Sequence, residues 1–294
     1  MAQALNSDFA TEVNNFITIC EKNSVDLTLF YKNLKTLDIK SVKTKMVTST
    51  PFAGVYDTNQ NTIEIALDGI DHECIYHELF HIASRRKTDT HIYTGFSRNN
   101  TEYSVVSGTA INEGFTELLA GKYFNKNEGY QKEQCYVSML SEIIGFEIME
   151  RLYLKGDFDG LIDEFSKYVS EEEVYLFIDF FDKYSYYEMQ KDENSKAYIQ
   201  ICVNILTKAY KNKLATQNIS AEEKRNNFLY FITDISNVCF TNKNTMQKNI
   251  MPAPKRTFVQ EAFDELQIDY VENEDGTISL KNPLQQKVLT KENK

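Results

Sequence analysis

What the chain lacks narrows its class first. No stretch of its 294 residues approaches eighteen consecutive apolar side chains, so no membrane-spanning helix is expected. A cationic excess is missing too. Lys and Arg number 32 against 43 Asp and Glu, and a formal charge of −11 repels phosphate backbones. General nucleic-acid binding is therefore not expected, and the short clusters Arg85-Arg86-Lys87 and Lys255-Arg256 are expected to be solvated ends of elements. The five cysteines, at positions 20, 74, 135, 202 and 239, show no paired spacing and no C-x-x-C, which argues against a disulfide scaffold and for a reducing compartment. The start, Met1 to Asp8, lacks the cationic residues and apolar run of a secretory signal. A cytoplasmic protein is the simplest expectation. No internal repeat is visible.

What is present reads as globular. Apolar residues make up 42 % and charged residues 26 %, enough for one large domain or two modest ones. Apolar spacing over residues 8–35 is helical at first (Phe9, Val13, Phe16, Ile17, Cys20), and Leu37 to Val47 alternates like a strand. Phe52–Tyr56 and Thr62–Leu67 flank Asp57-Thr58-Asn59-Gln60-Asn61, a hairpin with a polar turn. Helices are expected over 70–86, with acids at its start and Arg85-Arg86-Lys87 at its end as the helix dipole favours, and over 109–124. Between them, 88–107 reads as irregular, with a short strand near Tyr103 to Val106. From 132 to 250 the pattern is helical almost throughout, until Met251-Pro252-Ala253-Pro254 breaks it. A short helix (Val259–Leu266) and a hairpin (Ile268–Val271, Thr277–Leu280) should follow. The expected fold is α+β: a small, mostly antiparallel sheet from 36–68 lies against the 70–86 helix, and Thr62–Leu67 borders the cleft. The division expected is an N-terminal helical segment (1–35), a core (36–130), a helical subdomain (131–252) and a C-terminal helix, hairpin and tail (253–294).

Chemistry concentrates in His77-Glu78-Leu79-Phe80-His81. Histidines four apart stack on one face of a helix, so both imidazoles can meet one ion at the roughly 2.0–2.1 Å that zinc prefers. Glu78 leans the same way but aside, placed to take a proton from a water activated by that ion. Catalytic zinc needs a third protein ligand, and Asn112-Glu113-Gly114-Phe115-Thr116-Glu117 offers two glutamates four apart on the second helix. One carboxylate can bind the metal while the other accepts a hydrogen bond from a ligand histidine and fixes its tautomer.

His77-Glu78-x-x-His81 followed by Asn112-Glu113-Gly114-Phe115 resembles the gluzincins, the metallopeptidase group that includes thermolysin and the zinc aminopeptidases. The likeness spans roughly residues 62–120, about a fifth of the chain. It implies a zincin-like core holding one zinc ion on His77, His81 and Glu113, with Glu78 as the base and Glu117 supporting a histidine. It also implies a peptide or protein substrate cut by a metal-activated water. The Asn-Glu-Gly-Phe string is nearer the aminopeptidase pattern. Three departures stand out: a longer interval from His81 to Glu113, Glu117 where thermolysin-like enzymes carry Asp, and no Gly-x-Met-Glu-Asn string for gripping a substrate amino terminus.

Rival ligands are weaker. His91 follows His81 by ten residues and is expected in a loop or facing substrate, Cys74 is expected in core packing, and His72 points elsewhere on the helix. A donor for the tetrahedral oxyanion is sought in 88–107, where Tyr103 is the first choice and His91 and Tyr93 the others. Two alternatives to a general peptidase are a non-catalytic interaction protein retaining this fold, using aromatic stretches such as Tyr175–Phe181 and Tyr184–Tyr187, and a narrow protease of one regulatory protein.

Overall fold

The computed structural model describes residues 2–42, 46–47, 50–51, 54–66, 72–125, 129–239, 258–272 and 278–280. It is a mixed α+β chain, mainly helical, with small sheets and no barrel among the described residues. By packing it divides into two units, Met1–Glu164 and Phe165–Lys294.

The first unit opens with α1 (Ala2–Lys22) and α2 (Thr28–Leu34), then β1 (Asp38–Val42), the short pair β2 (Met46–Val47) and β3 (Thr50–Pro51), β4 (Gly54–Asp57) and β5 (Thr62–Ala66). The alternation in Thr62-Ile63-Glu64 turns Ile63 fully inward and leaves Glu64 half-buried. The β4–β5 turn is held by Asp57, whose Oδ1 accepts from the amides of Asn59 (2.8 Å) and Gln60 (3.2 Å). The sheet order is β1-β5-β4, with β1 parallel to β5 (Asp38 opposite Thr62) and β4 antiparallel to it (Gly54 opposite Ile65). This corrects the expectation that Thr62–Leu67 borders the cleft. β5 lies in the middle, so among the described residues the edges of this sheet are β1 and β4.

Next come α3 (His72–Ser84), β6 (Arg85–Lys87), β7 (His91–Thr94), β8 (Ser97–Asn100) and β9 (Val105–Ser107). The last four form an antiparallel meander, with Arg85 opposite Thr94, His91 opposite Asn100 and Arg98 opposite Ser107. The segment 88–107 is thus regular sheet, not irregular chain. The basic run is strand, not helix end. Arg85 is buried with its Nε donating to the Thr58 carbonyl (2.7 Å), and Arg86 donates to the Gly156 carbonyl (2.9 Å) with its guanidinium 4.2 Å above the Tyr93 ring. Those ties outweigh the few tenths of a kcal/mol (~0.3–1) that a cation gains at a helix C-terminus. Lys255-Arg256 and the Met251–Pro254 break lie outside the described residues.

α4 (Thr109–Phe124), α5 (Gln131–Ile144), α6 (Phe146–Leu154) and α7 (Phe158–Phe165) complete the unit. The core around α3 is aromatic. Phe16 of α1 meets Phe30 and Phe80 at 4.9 Å each, and Tyr76 stacks on Phe124 at 4.0 Å. The Tyr76 hydroxyl also bonds Glu12, which clamps α1 to α3.

The second unit holds α8 (Glu171–Met189), α9 (Ser195–Thr216), α10 (Ala221–Cys239), α11 (Phe258–Glu265) and the antiparallel pair β10 (Tyr270–Glu272) and β11 (Ile278–Leu280). α8 starts at a reciprocal cap: Ser170 accepts from the Glu173 amide while Glu173 accepts from that of Ser170. Its inner face buries Val174, Phe177, Ile178, Phe181 and Tyr184, while Tyr175, Leu176 and Tyr186 stay exposed. Helix continues as expected to Cys239, and 240–250 lies outside the described residues. No helix among those described is long and apolar enough to cross a membrane.

Candidate metal centre

α3 is buried on nearly every side, with Ile75, Leu79, Phe80, Ile82 and Ala83 in the core. The spacing in His77-Glu78-x-x-His81 also sends three ionisable side chains inward: all are 9 % exposed or less. α4 crosses beside it and supplies Glu113. His77 Nε2 lies 2.9 Å from His81 Nε2 and 3.0 Å from Glu113 Oε2, and His81 Nε2 lies 3.5 Å from the same oxygen. These are the three side chains the sequence pairs as ligands, and their donor atoms face one point.

Whether that point suits a metal can be tested from the edges of the triangle. Ligands about 2.0–2.1 Å from a tetrahedral ion stand about 3.3–3.4 Å apart. The three edges, 2.9, 3.0 and 3.5 Å, bracket that separation. Two imidazole nitrogens also cannot aim bare lone pairs at each other across 2.9 Å. A proton or a cation has to lie between them. The donor set of two neutral nitrogens and one carboxylate therefore fits a divalent ion.

The supporting contacts come from α4 and the strands. Glu117 Oε1 approaches His77 Nδ1 at 3.0 Å, off the line of an aligned N–H bond, so the pair is an ionic contact. Asn112, 3 % exposed, has its Nδ2 3.3 Å from His81 Nδ1 and 3.3 Å from Glu113 Oε1. Its Oδ1 accepts from the Phe96 amide (3.1 Å), which fixes the amide's orientation. Gly114 has a steric reason for its place in the Asn-Glu-Gly-Phe string. A Cβ there would come within 2.7 Å of the Glu133 backbone, so only glycine lets α5 cross α4 this closely. Glu78 Oε2 accepts from the Tyr56 amide at 2.9 Å, which docks this carboxylate on the edge strand β4.

The electrostatics are those of a cation site. Burial works against a charged His77, yet Glu113 and Glu117 outweigh it and push the imidazole up to about 10. Burial likewise opposes ionised Glu113, but His81 and His77 hold its carboxyl well below the usual range. Glu78 is raised by burial, with His77 and His81 working against the rise.

Of the remaining candidates from the sequence, the structure brings none into this cluster among the described residues. Tyr103 stands 69 % exposed before β9, its amide bonded to Asn100. His91 bonds Thr90 (2.8 Å) and Asn100 (3.3 Å), and Tyr93 is buried under Arg86. Cys74 is exposed on α3 and is not grouped with the ligands, and the His72 side chain lies outside the described residues. Sequence reasoning missed Tyr130, which precedes α5. Its ring stacks on His77 (centroids 5.7 Å apart, planes 17° apart), and the charge of Glu113, then burial, lift its phenol far above the usual range. Tyr130 is held in the left-handed region (φ 46°) with its carbonyl accepting from the Gln134 amide. A tyrosine in a polar inter-helix turn carries no periodic signal that would mark it.

No family model, curated protein or solved structure matches the chain.

Proposed function

We propose that the chain is a zinc-dependent metallopeptidase of the gluzincin type, built on a zincin-like core and cutting a peptide or protein substrate. The observation that carries the reading is the convergence of His77, His81 and Glu113 on one point, with Glu78 buried beside them. Glu117 stands behind His77 Nδ1, where its carboxylate orients that imidazole. A bound zinc ion supplies a Lewis acid that lowers the pKa of a water toward neutral and polarises the scissile carbonyl.

Glu78 is the base: its carboxylate takes the water's proton and returns it to the leaving amine. Burial lifts its proton affinity, which suits a group that must hold a proton briefly. For the oxyanion donor first sought in Tyr103, this reading turns to Tyr130, whose ring stacks on His77. An extended substrate adds along β4, an edge strand whose Tyr56 amide already holds Glu78 beside the site.

Metal analysis of purified protein against His77→Ala is the first test, and stoichiometric zinc retained by that variant would reject the ligand. A peptide-library profile comes next. Bound metal with no cleavage of any peptide would leave the non-catalytic scaffold as the better reading.

A further inference from the structure

The aromatic core behind the metal centre contains one fully buried phenol. Tyr153 of α6 sits between Phe96 and Phe115, both 5.5 Å from its ring, and is 0 % exposed. A phenylalanine would fill the same volume without desolvating a hydroxyl, so the oxygen's contribution is directional. Its partners can be assigned. Thr116 Oγ1 donates to the Asn112 carbonyl (2.7 Å), so it accepts from the Tyr153 hydroxyl 2.6 Å away. The chain of bonds ends on the peptide just before Glu113.

The same stretch of chain grips the other ligand helix. α6 packs against α3, and three residues past Tyr153 the Gly156 carbonyl receives the Arg86 guanidinium, two residues beyond the end of α3. Ser84, the last residue of α3, bonds the Phe80 and His81 carbonyls. Thr116 and Ser84 each stand three residues after a ligand, Glu113 and His81. Gly95 (φ +53°) seals the arrangement. A Cβ there would fall 2.1 Å from the Tyr153 ring and 2.4 Å from Asn112 Oδ1.

We propose that Tyr153 is a positioning residue for the metal centre: its hydroxyl ties α4, one turn beyond Glu113, to α6, which packs on α3, and so sets the gap an ion must fill. Apolar contact between helix faces sets no preferred direction, whereas the 2.6 Å hydrogen bond constrains angle as well as distance. Ligands need placing to within about 0.5 Å. The inference rests on the metal reading of the site.

The test is zinc affinity, measured by competition with a chromophoric chelator, together with the visible spectrum of the cobalt-loaded protein. Tyr153→Phe should weaken zinc binding about tenfold and change the cobalt band shape. Thr116→Val should reproduce both effects, and Thr116→Ser, which keeps the hydroxyl, should restore them. Combining Tyr153→Phe with Thr116→Val should add little further loss. If the phenylalanine variant folds poorly, Thr116→Val carries the same test alone. Wild-type affinity and an unchanged cobalt spectrum in both variants would overturn the brace while leaving the metal site standing. A wild-type chain that binds neither ion would overturn both.

Discussion

The two units bury different kinds of side chain. In the first, Glu12, His77, Glu78, His81, Arg85, Glu117 and Glu133 all lie inside. In the second, the buried polar residues among those described are Ser185, Ser195, Thr207 and Gln260, none of them charged. Its ion pairs among the described residues are exposed, as in Lys183–Asp179, or half-buried, as in Lys208–Glu173. Removing an ionised group from water costs several kcal/mol (~3 or more) unless a partner compensates. A chain that needed only to fold would do better with the second pattern. The first persists where buried charges hold one another, and His77, His81 and Glu113 form a group that could hold a cation.

The sharpest way to break that contrast is at the base. Glu78→Gln keeps the ligands and the side-chain volume, so zinc content should stay at wild-type level while the cleavage rate falls by about 10²–10⁴. Undiminished turnover of a peptide substrate would remove Glu78 from the mechanism. Next in size is a change confined to the second unit. Phe177 is fully buried between Phe165 and Phe181, and Phe177→Ala should cost about 3–5 kcal/mol in denaturant unfolding. Zinc bound per folded molecule should not change. A loss of metal in that variant would mean the functional division between the units is wrong.

The grouping of His77 with His81, and of Glu113 with Glu117, could be read from local spacing because a helix converts sequence intervals of three and four into shared faces. The expected helix at 109–124 is Thr109–Phe124, so Glu113 and Glu117 arrive on α4 in register. Local spacing fails where long-range contacts decide. Arg85-Arg86-Lys87 satisfies the rule for a helix end, yet Thr58 and Gly156 draw its first two side chains into a strand. The meander is built from polar segments such as Ser97-Arg98-Asn99-Asn100, which show no apolar alternation because all four are half-buried. The parallel pairing of β1 with β5 joins residues more than twenty apart and leaves no local mark. Tyr130 owes its place on His77 to a backbone turn, not to any repeat.

A third prediction concerns pH in protein stripped of metal. The His77 pKa of about 10 stands above the ordinary 6.5, so its contribution to stability is full below about 6.5 and is lost as the pH climbs toward 10. Glu113 is depressed from 4.5, so its contribution is present above that value and is lost as the pH falls below it. The urea midpoint of the stripped chain should therefore decline on the alkaline side from near neutrality. His77→Ala should flatten that limb. Zinc takes the place of the His77 proton, so metal binding near pH 8 should release protons, seen as a binding heat that varies with the buffer's ionisation enthalpy. A heat independent of buffer would leave His77 unprotonated before binding.

The smallest effect belongs to the surface of the second unit and sets the scale for the others. Lys183 and Asp179 are four apart on α8, 2.7 Å between charged atoms, with about half of each side chain in solvent. The order, acid before base, is the favourable one on a helix, and hydrogen bonding to Asp179 raises the lysine's pKa. Screening and the entropy of holding two flexible chains leave such a pair worth about 0.3–0.5 kcal/mol. Lys183→Ala should move the unfolding free energy by no more than that, and the difference should vanish in about 1 M salt. Zinc affinity should not change at either salt. A salt-insensitive loss above about 1 kcal/mol would mean that Lys183, whose Nζ lies 5.2 Å from the Phe180 ring centre, stabilises α8 by lying on that ring and not by pairing with Asp179.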